Sequence, residues 1–144
     1  MKIVLQRVKE ASVVVGGEVV SAIGRGILLF VGIGKDVSPE DAKKLAIKIT
    51  KMRIFEDANG KMNLDLFQIG GEVLSVSQFT LMADLSKGNR PGFDLAALPK
   101  EAEELIGIFN DEIRANGLKV SEGRFGAHMQ VNLVNDGPVT FVMN

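Results

Sequence analysis

The sequence predicts an α+β fold with antiparallel-rich sheets and two main helices. Runs rich in β-branched residues lie at both ends of the chain, and two stretches between them repeat apolar residues at helical spacing. The resulting order is strands, helix, strands, helix, strands, which differs from the regular alternation of a parallel βαβ array. So many short strands can also curl into a barrel, which the pattern leaves open. The 144 residues predict a single domain, 1–144.

Most of the first 33 residues are predicted to be β-structure. Residues 3–5 and 11–15 form two valine-rich segments, and a Gly16-Gly17 pair separates the second from Glu18–Ile23. A glycine pair between two such runs is typical of a two-residue hairpin turn, which needs positive φ. Residues 27–33 are almost continuously apolar, which predicts a strand that is covered on both faces.

Both predicted helices have recognisable ends. Ser38 is a candidate N-cap for the first, with Pro39 at the first helical position and Asp41 three residues after the cap. The second is predicted over residues 99–116, and Gly117 ends it. The remaining strands are expected at residues 53–55, 72–80, 127–134 and 139–143, the last two joined by a turn at 135–138.

Composition excludes several kinds of site. The chain has no cysteine and one histidine, so disulfides, thiol nucleophiles, thiolate zinc sites and sites with two imidazoles are excluded. Accordingly, we expect no metal and no cofactor. A net charge of −1 indicates neither a nucleic-acid nor a membrane partner. The longest apolar run, residues 27–33, is far shorter than the roughly 18–20 residues of a membrane-spanning helix, so a cytoplasmic protein is expected.

Two segments resemble known binding loops but lack residues that those loops require. Residues 32–35 (GIGK) follow a predicted strand, but the glycine at 29 and the hydroxyl at 36 that a phosphate-binding loop requires are missing. Asp57, Asn59 and Asp65 resemble part of a calcium loop that lacks its terminal glutamate. An ordinary connection and a solvated hairpin loop account for them better.

The polar end of the predicted strand 72–80 is a stronger candidate site. Ser77 and Thr80 are candidate nucleophiles, but a hydroxyl needs a base to activate it, and the alternative is that these groups only cap the strand. His128, in a predicted strand, should point away from the face of its neighbours Ala127 and Met129, so we expect a surface or interface histidine. Residues 136–138 (DGP) form either an ordinary turn between two strands or a rigid segment that exposes its backbone carbonyl oxygens.

The segments Ser77-Gln78-Phe79-Thr80 and 135–140 (NDGPVT) together resemble the two signature motifs of the D-aminoacyl-tRNA deacylase family. The likeness extends over the whole chain, from LQRV with Arg7, through GNRPGF, to MQVNLVNDGPVTF. It departs at Gly92, where members often carry serine, and at His128, where they often carry aspartate.

The resemblance implies a homodimer of barrel-like subunits with active sites at the interface. It implies a hydrolase that cleaves the ester between a D-amino acid, or glycine, and the terminal adenosine of tRNA, and so proofreads translation. Ser77 and Gln78 would line the pocket, and the backbone N–H groups of Phe79 and Thr80 would hold the ester carbonyl. A cis Gly137-Pro138 dipeptide, held by Arg7, would enter the partner's pocket.

Several alternatives remain open at this stage. Either the Thr80 hydroxyl attacks the ester, or a water does so with help from the adenosine 2′-hydroxyl, which we favour because no base is evident. Lys87, Asn89 and Arg90 are the candidate tRNA contacts, whereas Lys44, Lys48 and Lys51 fit a solvated helix face. A non-catalytic RNA-binding or editing-accessory module and a purely dimerising interaction protein are the rival functions.

Overall fold

The computed structural model describes all 144 residues. The chain contains eight strands, two α-helices and one 3₁₀ turn. In order these are β1 (Lys2–Val15), β2 (Glu18–Ile23), β3 (Gly26–Gly32), α1 (Pro39–Thr50), β4 (Phe55–Glu56), β5 (Met62–Leu64), β6 (Glu72–Ser77), the 3₁₀ turn (Phe79–Met82), α2 (Pro99–Ala115), β7 (Val120–Glu122) and β8 (Gln130–Met143).

A six-stranded mixed sheet forms the centre of the fold. Its order is β2-β1-β3-β6-β7, and β8 pairs with the other edge of β1. The pairings of β1 with β2, β3 and β8 are antiparallel, whereas β3–β6 and β6–β7 are parallel. The predicted α+β class with a barrel-like core and two main helices is therefore confirmed, with the addition of a parallel part. A separate small ribbon pairs β4 with β5.

Two predicted strand breaks are wrong. Residues 3–5 and 11–15 belong to one strand, β1, whose first half pairs with β3 and whose second half pairs with β2. The predicted turn at 135–138 is likewise a bulge within a single strand, β8, because β1 continues alongside it and supplies ladder partners on both sides. The prediction of residues 72–80 as one strand is wrong at its end, since the sheet stops at Ser77. β5 and β7 were not predicted, because three residues carry too little periodicity.

The hydrophobic core lies on both sides of β3, as its continuous apolar sequence predicts. Ile27, Leu29 and Val31 belong to the cluster under the two helices, and Leu28 belongs to the cluster on the opposite face. All four side chains are fully buried. The helical cluster also takes in α1 and α2 residues, namely Ala42, Ala46, Ile49, Ala102, Ile106, Phe109 and Ile113.

The helix boundaries follow the predicted signals. Ser38 Oγ accepts a hydrogen bond from the Asp41 N–H at 3.1 Å, and the Asp41 carboxylate accepts one from the Ser38 N–H at 3.1 Å, which completes the capping box. The second helix ends at Ala115, and Gly117 takes the left-handed conformation at φ 88°. Neither helix is long and apolar enough to cross a membrane.

Close pairing of β3 with β6 depends on Gly26, which predicts a stability difference between two glycines. A Cβ on Gly26 would lie 1.9 Å from the backbone oxygen of Glu72, whereas a Cβ on Gly107 in α2 meets nothing within 4 Å. We expect Gly26→Ala to lower the free energy of unfolding by about 3 kcal/mol or more, because the strands must separate. Gly107→Ala, the matched control, should raise it by about 0.5–1 kcal/mol. Urea denaturation at one protein concentration measures both; equal effects would contradict this packing.

Candidate active site

The polar segment 77–80 lies where β6 leaves the sheet. The Gln78 N–H still donates to the carbonyl oxygen of Val31 in β3, at 2.8 Å, and the 3₁₀ turn begins at the next residue. Gly32 permits this close passage, because a Cβ there would lie 2.9 Å from Leu81 Cβ and 3.0 Å from the Gln78 carbonyl oxygen. The end of a buried parallel strand thus places the segment rigidly at the edge of the sheet.

The 3₁₀ turn leaves two backbone donors free. Its first hydrogen bond runs from the Leu81 N–H to the Gln78 carbonyl at 3.2 Å, and Ala83 N–H donates to the Thr80 carbonyl at 3.1 Å. The N–H groups of Phe79 and Thr80 precede the first donor of the turn, the Leu81 N–H, and so have no acceptor within the turn, as at every helical N-terminus. Two adjacent free N–H groups on a fixed backbone can stabilise an oxyanion that develops beside them.

A cavity of about 480 Å³ adjoins this segment. Its wall is mainly apolar and is built from the end of β6, the approach to α2 and its first turns, and the loop between β7 and β8. The lining residues are Val31, Ile33, Val76, Ser77, Gln78, Phe79, Ala96, Ala97, Pro99, Ala102, Ile106, Phe125, Gly126, Ala127, His128, Met129 and Val131. The volume is within the range of small-molecule sites, so the cavity can receive a nucleoside-sized ligand.

Thr80 lies beside the cavity and not in its wall. Its side chain is exposed, and its hydroxyl oxygen accepts a hydrogen bond from Gln78 Nε2. The cavity wall contains no carboxylate and no lysine. A nucleophilic hydroxyl needs a neighbouring base, and the hydrogen-bond partner of the Thr80 hydroxyl is the Gln78 amide, which is not a base.

The second motif lies on β8, at a wide interruption of the β1–β8 ladder. Gln6 pairs with Thr140 and Val8 pairs with Asn135, so residues 136–139 face Arg7 alone. The Gly137–Pro138 peptide bond is cis, and both residues are exposed. The Val139 N–H donates to Asn135 Oδ1 at 2.9 Å, which closes the bulge from within.

The buried Arg7 side chain binds the backbone of this bulge. The residue is 5% exposed; its Nε donates to the Asp136 carbonyl at 2.9 Å and its Nη1 to the Ile54 carbonyl at 2.7 Å. Because one guanidinium binds carbonyls from two separate segments, the bulge is fixed relative to the rest of the fold. A Cβ on Gly137, at φ 143°, would lie 2.7 Å from Val139 Cγ2 and 3.3 Å from Arg7 Nη2, so only glycine fits here.

The structure does not bring the two motifs into one site within a single chain. Ser77, Gln78 and Phe79 share the cavity wall, whereas Arg7 and Gly137 line a different, polar cleft of about 440 Å³. That cleft also contains Lys9, Arg25, Glu56 and residues 134–136. The two motifs therefore lie in separate concave surfaces of the subunit.

The loop before α2 places the candidate RNA contacts near the first motif. Asp84 and Gly92 exchange backbone hydrogen bonds of 2.8 and 2.9 Å, and the Phe93 ring packs 4.9 Å from the Phe79 ring. Between those anchors, residues 85–91 are exposed, including the side chains of Lys87, Asn89 and Arg90. The hydroxyl and N–H of Ser86 hold the pKa of the Asp84 carboxyl below its usual range. The hydrogen bond from the Ser86 N–H to Asp84 Oδ1 also fixes the start of the loop.

His128 is exposed, as expected of a surface histidine, and its neighbours Ala127 and Met129 are half-buried. All three residues also line the cavity. The strand predicted over residues 127–134 is wrong at its start, because the chain turns at Arg124–Ala127, with Gly126 at φ 71°, and β8 begins only at Gln130. The glycines at 123 and 126 are the sequence signal that indicated a turn here.

Comparisons with known proteins agree with the likeness of the two motifs. Residues 4–144 match the family described as D-Tyr-tRNA(Tyr) deacylase. Among proteins named D-aminoacyl-tRNA deacylase, that of Thermodesulfovibrio yellowstonii is 54% identical over 140 residues, which is 97% of this chain and 96% of the relative. That of Thermotoga petrophila is 53% identical over 144 residues, covering 100% and 97%.

Two solved structures have the same fold. The c-Myc DNA unwinding element binding protein superposes with a TM-score of 0.93 at 42% identity, covering 100% of this chain and 98% of that one. A probable eukaryotic D-amino acid tRNA deacylase gives 0.84 at 17% identity, covering 99% and 97%, which concerns the fold alone. With a family match over nearly every residue and relatives above half identity, the chain belongs to the D-Tyr-tRNA(Tyr) deacylase family.

Proposed function

We propose that this protein hydrolyses the ester of D-aminoacyl-tRNA, releasing free tRNA and the D-amino acid, and thereby proofreads translation. The observation that carries the proposal is the pair of free N–H groups at Phe79 and Thr80, fixed beside a nucleoside-sized cavity. Membership of a family of deacylases supports the same reaction. Glycyl-tRNA would also be a substrate, because glycine has no side chain to be rejected.

The active form of the enzyme would be a homodimer. Within one subunit the Gly137–Pro138 dipeptide is exposed and lies apart from the cavity that contains Phe79. In a twofold dimer, each dipeptide would enter the cavity of the partner subunit, and both sites would be completed together. Such an interface explains why a conformationally fixed glycine and proline stand exposed on the surface of a strand.

Chiral selection would come from this inserted dipeptide. Both enantiomers carry the same groups, so attractive contacts alone discriminate poorly between them, whereas a rigid wall at the Cα rejects one hand by steric clash. The carbonyl oxygens of Gly137 and Pro138 would accept from the substrate amino group. Arg7 would keep the wall stiff through its bond to the Asp136 carbonyl.

The chemical step would use a water molecule assisted by the 2′-hydroxyl of the terminal adenosine. The Phe79 and Thr80 N–H groups would hold the ester carbonyl and stabilise the oxyanion formed on it. Thr80 as nucleophile is disfavoured because its hydroxyl accepts a hydrogen bond from the Gln78 amide, which cannot serve as a base. Ser77 and Gln78 would shape the wall of the pocket.

Contact with the tRNA body would fall to the exposed loop that carries Lys87, Asn89 and Arg90, whose anchor Phe93 packs against Phe79. Basic side chains on a loop that is anchored next to the cavity would contact the phosphates of the acceptor stem. Lys44, Lys48 and Lys51 are also exposed, but they lie on α1 and at its end, not on this loop. Since the substrate is a component of translation, we place the protein in the cytoplasm.

The first prediction concerns activity itself. The purified protein should release free D-tyrosine from D-tyrosyl-tRNA and leave L-tyrosyl-tRNA intact, with a ratio of kcat/KM of at least about 10²-fold, because a steric clash excludes the L substrate. Thin-layer separation of labelled amino acid measures both rates. If the protein binds both tRNAs without hydrolysing them, the result would instead support the RNA-binding module. If it neither binds nor hydrolyses them, the result would support the interaction protein.

The second prediction separates the two mechanisms. Thr80→Ala should retain kcat within about 10-fold, because only the backbone N–H is used. A D-tyrosyl-tRNA whose terminal adenosine lacks the 2′-hydroxyl should be hydrolysed about 10²-fold more slowly, since the proton-transfer group is gone. Single-turnover kinetics measure both. Near-total loss in Thr80→Ala with unchanged substrate binding would establish the acyl-enzyme route.

The third prediction tests whether the site is shared between subunits. Ala97→Phe should fill the cavity, and Gly137→Ala should displace the dipeptide through clashes with Val139 and Arg7, so each variant alone should be inactive. After co-refolding of the two variants, one site of each heterodimer is intact, and about a quarter of wild-type activity should return. No recovery, with heterodimers verified by native mass spectrometry, would place both motifs in one subunit's site.

A further inference from the structure

The cavity wall contains a single ionisable side chain, His128. Its imidazole is exposed and stands in the loop between β7 and β8, while Ser77, Gln78 and Phe79 belong to the end of β6. The ion pairs of the chain are made by Arg7, Arg114 and Lys119, so no carboxylate neutralises His128. An unpaired imidazole on the wall of an otherwise uncharged cavity is available to a ligand.

The chemistry of the proposed substrate supplies a matching group. An adenosine in this cavity is uncharged, but its 5′ oxygen is joined to the preceding nucleotide by a phosphodiester, which carries a permanent negative charge. An imidazolium donates from both ring nitrogens and pairs well with phosphate oxygens. We propose that His128 binds the phosphodiester 5′ to the terminal nucleoside, so that the affinity for the acceptor end rises as this imidazole becomes protonated. The inference rests on the proposed function.

Three charged side chains lie in a cleft that adjoins the cavity. Glu103 from α2, Glu122 from β7 and Arg124 from the same loop as His128 line this cleft of about 380 Å³. The cleft shares Ser77, Ile106 and Phe125 with the cavity, but its three charged residues do not line the cavity itself. Histidine is the side-chain type that ordinarily gains or loses a proton between pH 5 and 8, which makes the pH dependence of binding the test.

Cytidylyl-(3′,5′)-adenosine is the probe, because it ends as the acceptor strand does and contains one phosphodiester. Calorimetric titration should give a Kd on the order of threefold lower at pH 5.5 than at pH 8.0, the size expected of a partly exposed ion pair. The uncharged methylphosphonate analogue should bind equally at both pH values. Since the chain has one histidine, its imidazole proton resonance reports the contact directly, and the dinucleotide should shift that resonance.

Three variants complete the test. His128→Asn should abolish the pH dependence, and His128→Lys should give the tighter Kd at both pH values, because its charge is permanent over this range. Arg124→Gln, the matched control in the same loop, should leave the ratio of the two Kd values unchanged. An equal pH dependence for the methylphosphonate, or its persistence in His128→Asn, would overturn the proposal.

The outcome is separable from that of the proposed function. If the wild-type protein fails to release D-tyrosine from D-tyrosyl-tRNA, the proposed function fails. If it hydrolyses that substrate while the dinucleotide binds with the same Kd at pH 5.5 and pH 8.0, the enzyme stands and the role assigned to His128 is wrong.

Discussion

The architecture depends on one strand, β1, that pairs with three others. Its first half pairs with β3 and its second half with β2, while its opposite edge pairs with β8 almost throughout. A strand shared in this way must be continuous and in register, because a one-residue slip would turn its buried side chains outward. The single wide interruption of the β1–β8 ladder faces Arg7, and the buried guanidinium replaces the missing ladder contacts by binding the Asp136 carbonyl directly. The bulge is thus a rigid feature of the sheet and not a loose loop.

The two halves of the proposed site are held rigid by the same sheet, but by different strands of it, β6 and β8. The free N–H groups of Phe79 and Thr80 stand where parallel β6 ends, supported by the Gln78 bond to Val31. The dipeptide at Gly137 stands on β8, on the other side of β1. In the proposed dimer, the backbone donors and the Gly137–Pro138 dipeptide would lie on separate rigid supports, so both would be preorganised and docking of the two subunits would complete the site. Preorganised backbone donors cost no reorganisation during the reaction, which suits a cavity whose wall has neither carboxylate nor lysine.

Local signals predicted the parts of this fold that local chemistry determines. The capping box at Ser38, the double burial of residues 27–33 and the end of α2 at Gly117 all follow from a few neighbouring residues. The errors arose where a distant strand overrides a local turn signal. Asn135 to Pro138 has the composition of a turn, yet β1 runs alongside and keeps β8 continuous. The start of the strand predicted over residues 127–134 is wrong for the opposite reason: the glycines at 123 and 126 produce a turn, and β8 begins only at Gln130. The cavity itself, assembled from four separated segments, has no signature in sequence.

Stiffness of the wall that meets the substrate is the quantity on which chiral discrimination would depend. A wall that yields by a few tenths of an ångström would admit the L side chain, because the enantiomers differ by the position of one substituent. Here the dipeptide is restrained from three directions: Arg7 binds the preceding carbonyl, Asn135 accepts from the following Val139 N–H, and Thr140 accepts from Gln6 at 3.1 Å. Two of these three partners, Arg7 and Gln6, lie on β1, so displacement of the wall requires distortion of the strand that holds the sheet together. In the proposed mechanism, chiral discrimination by the dipeptide would therefore depend on β1, the strand that pairs with three others.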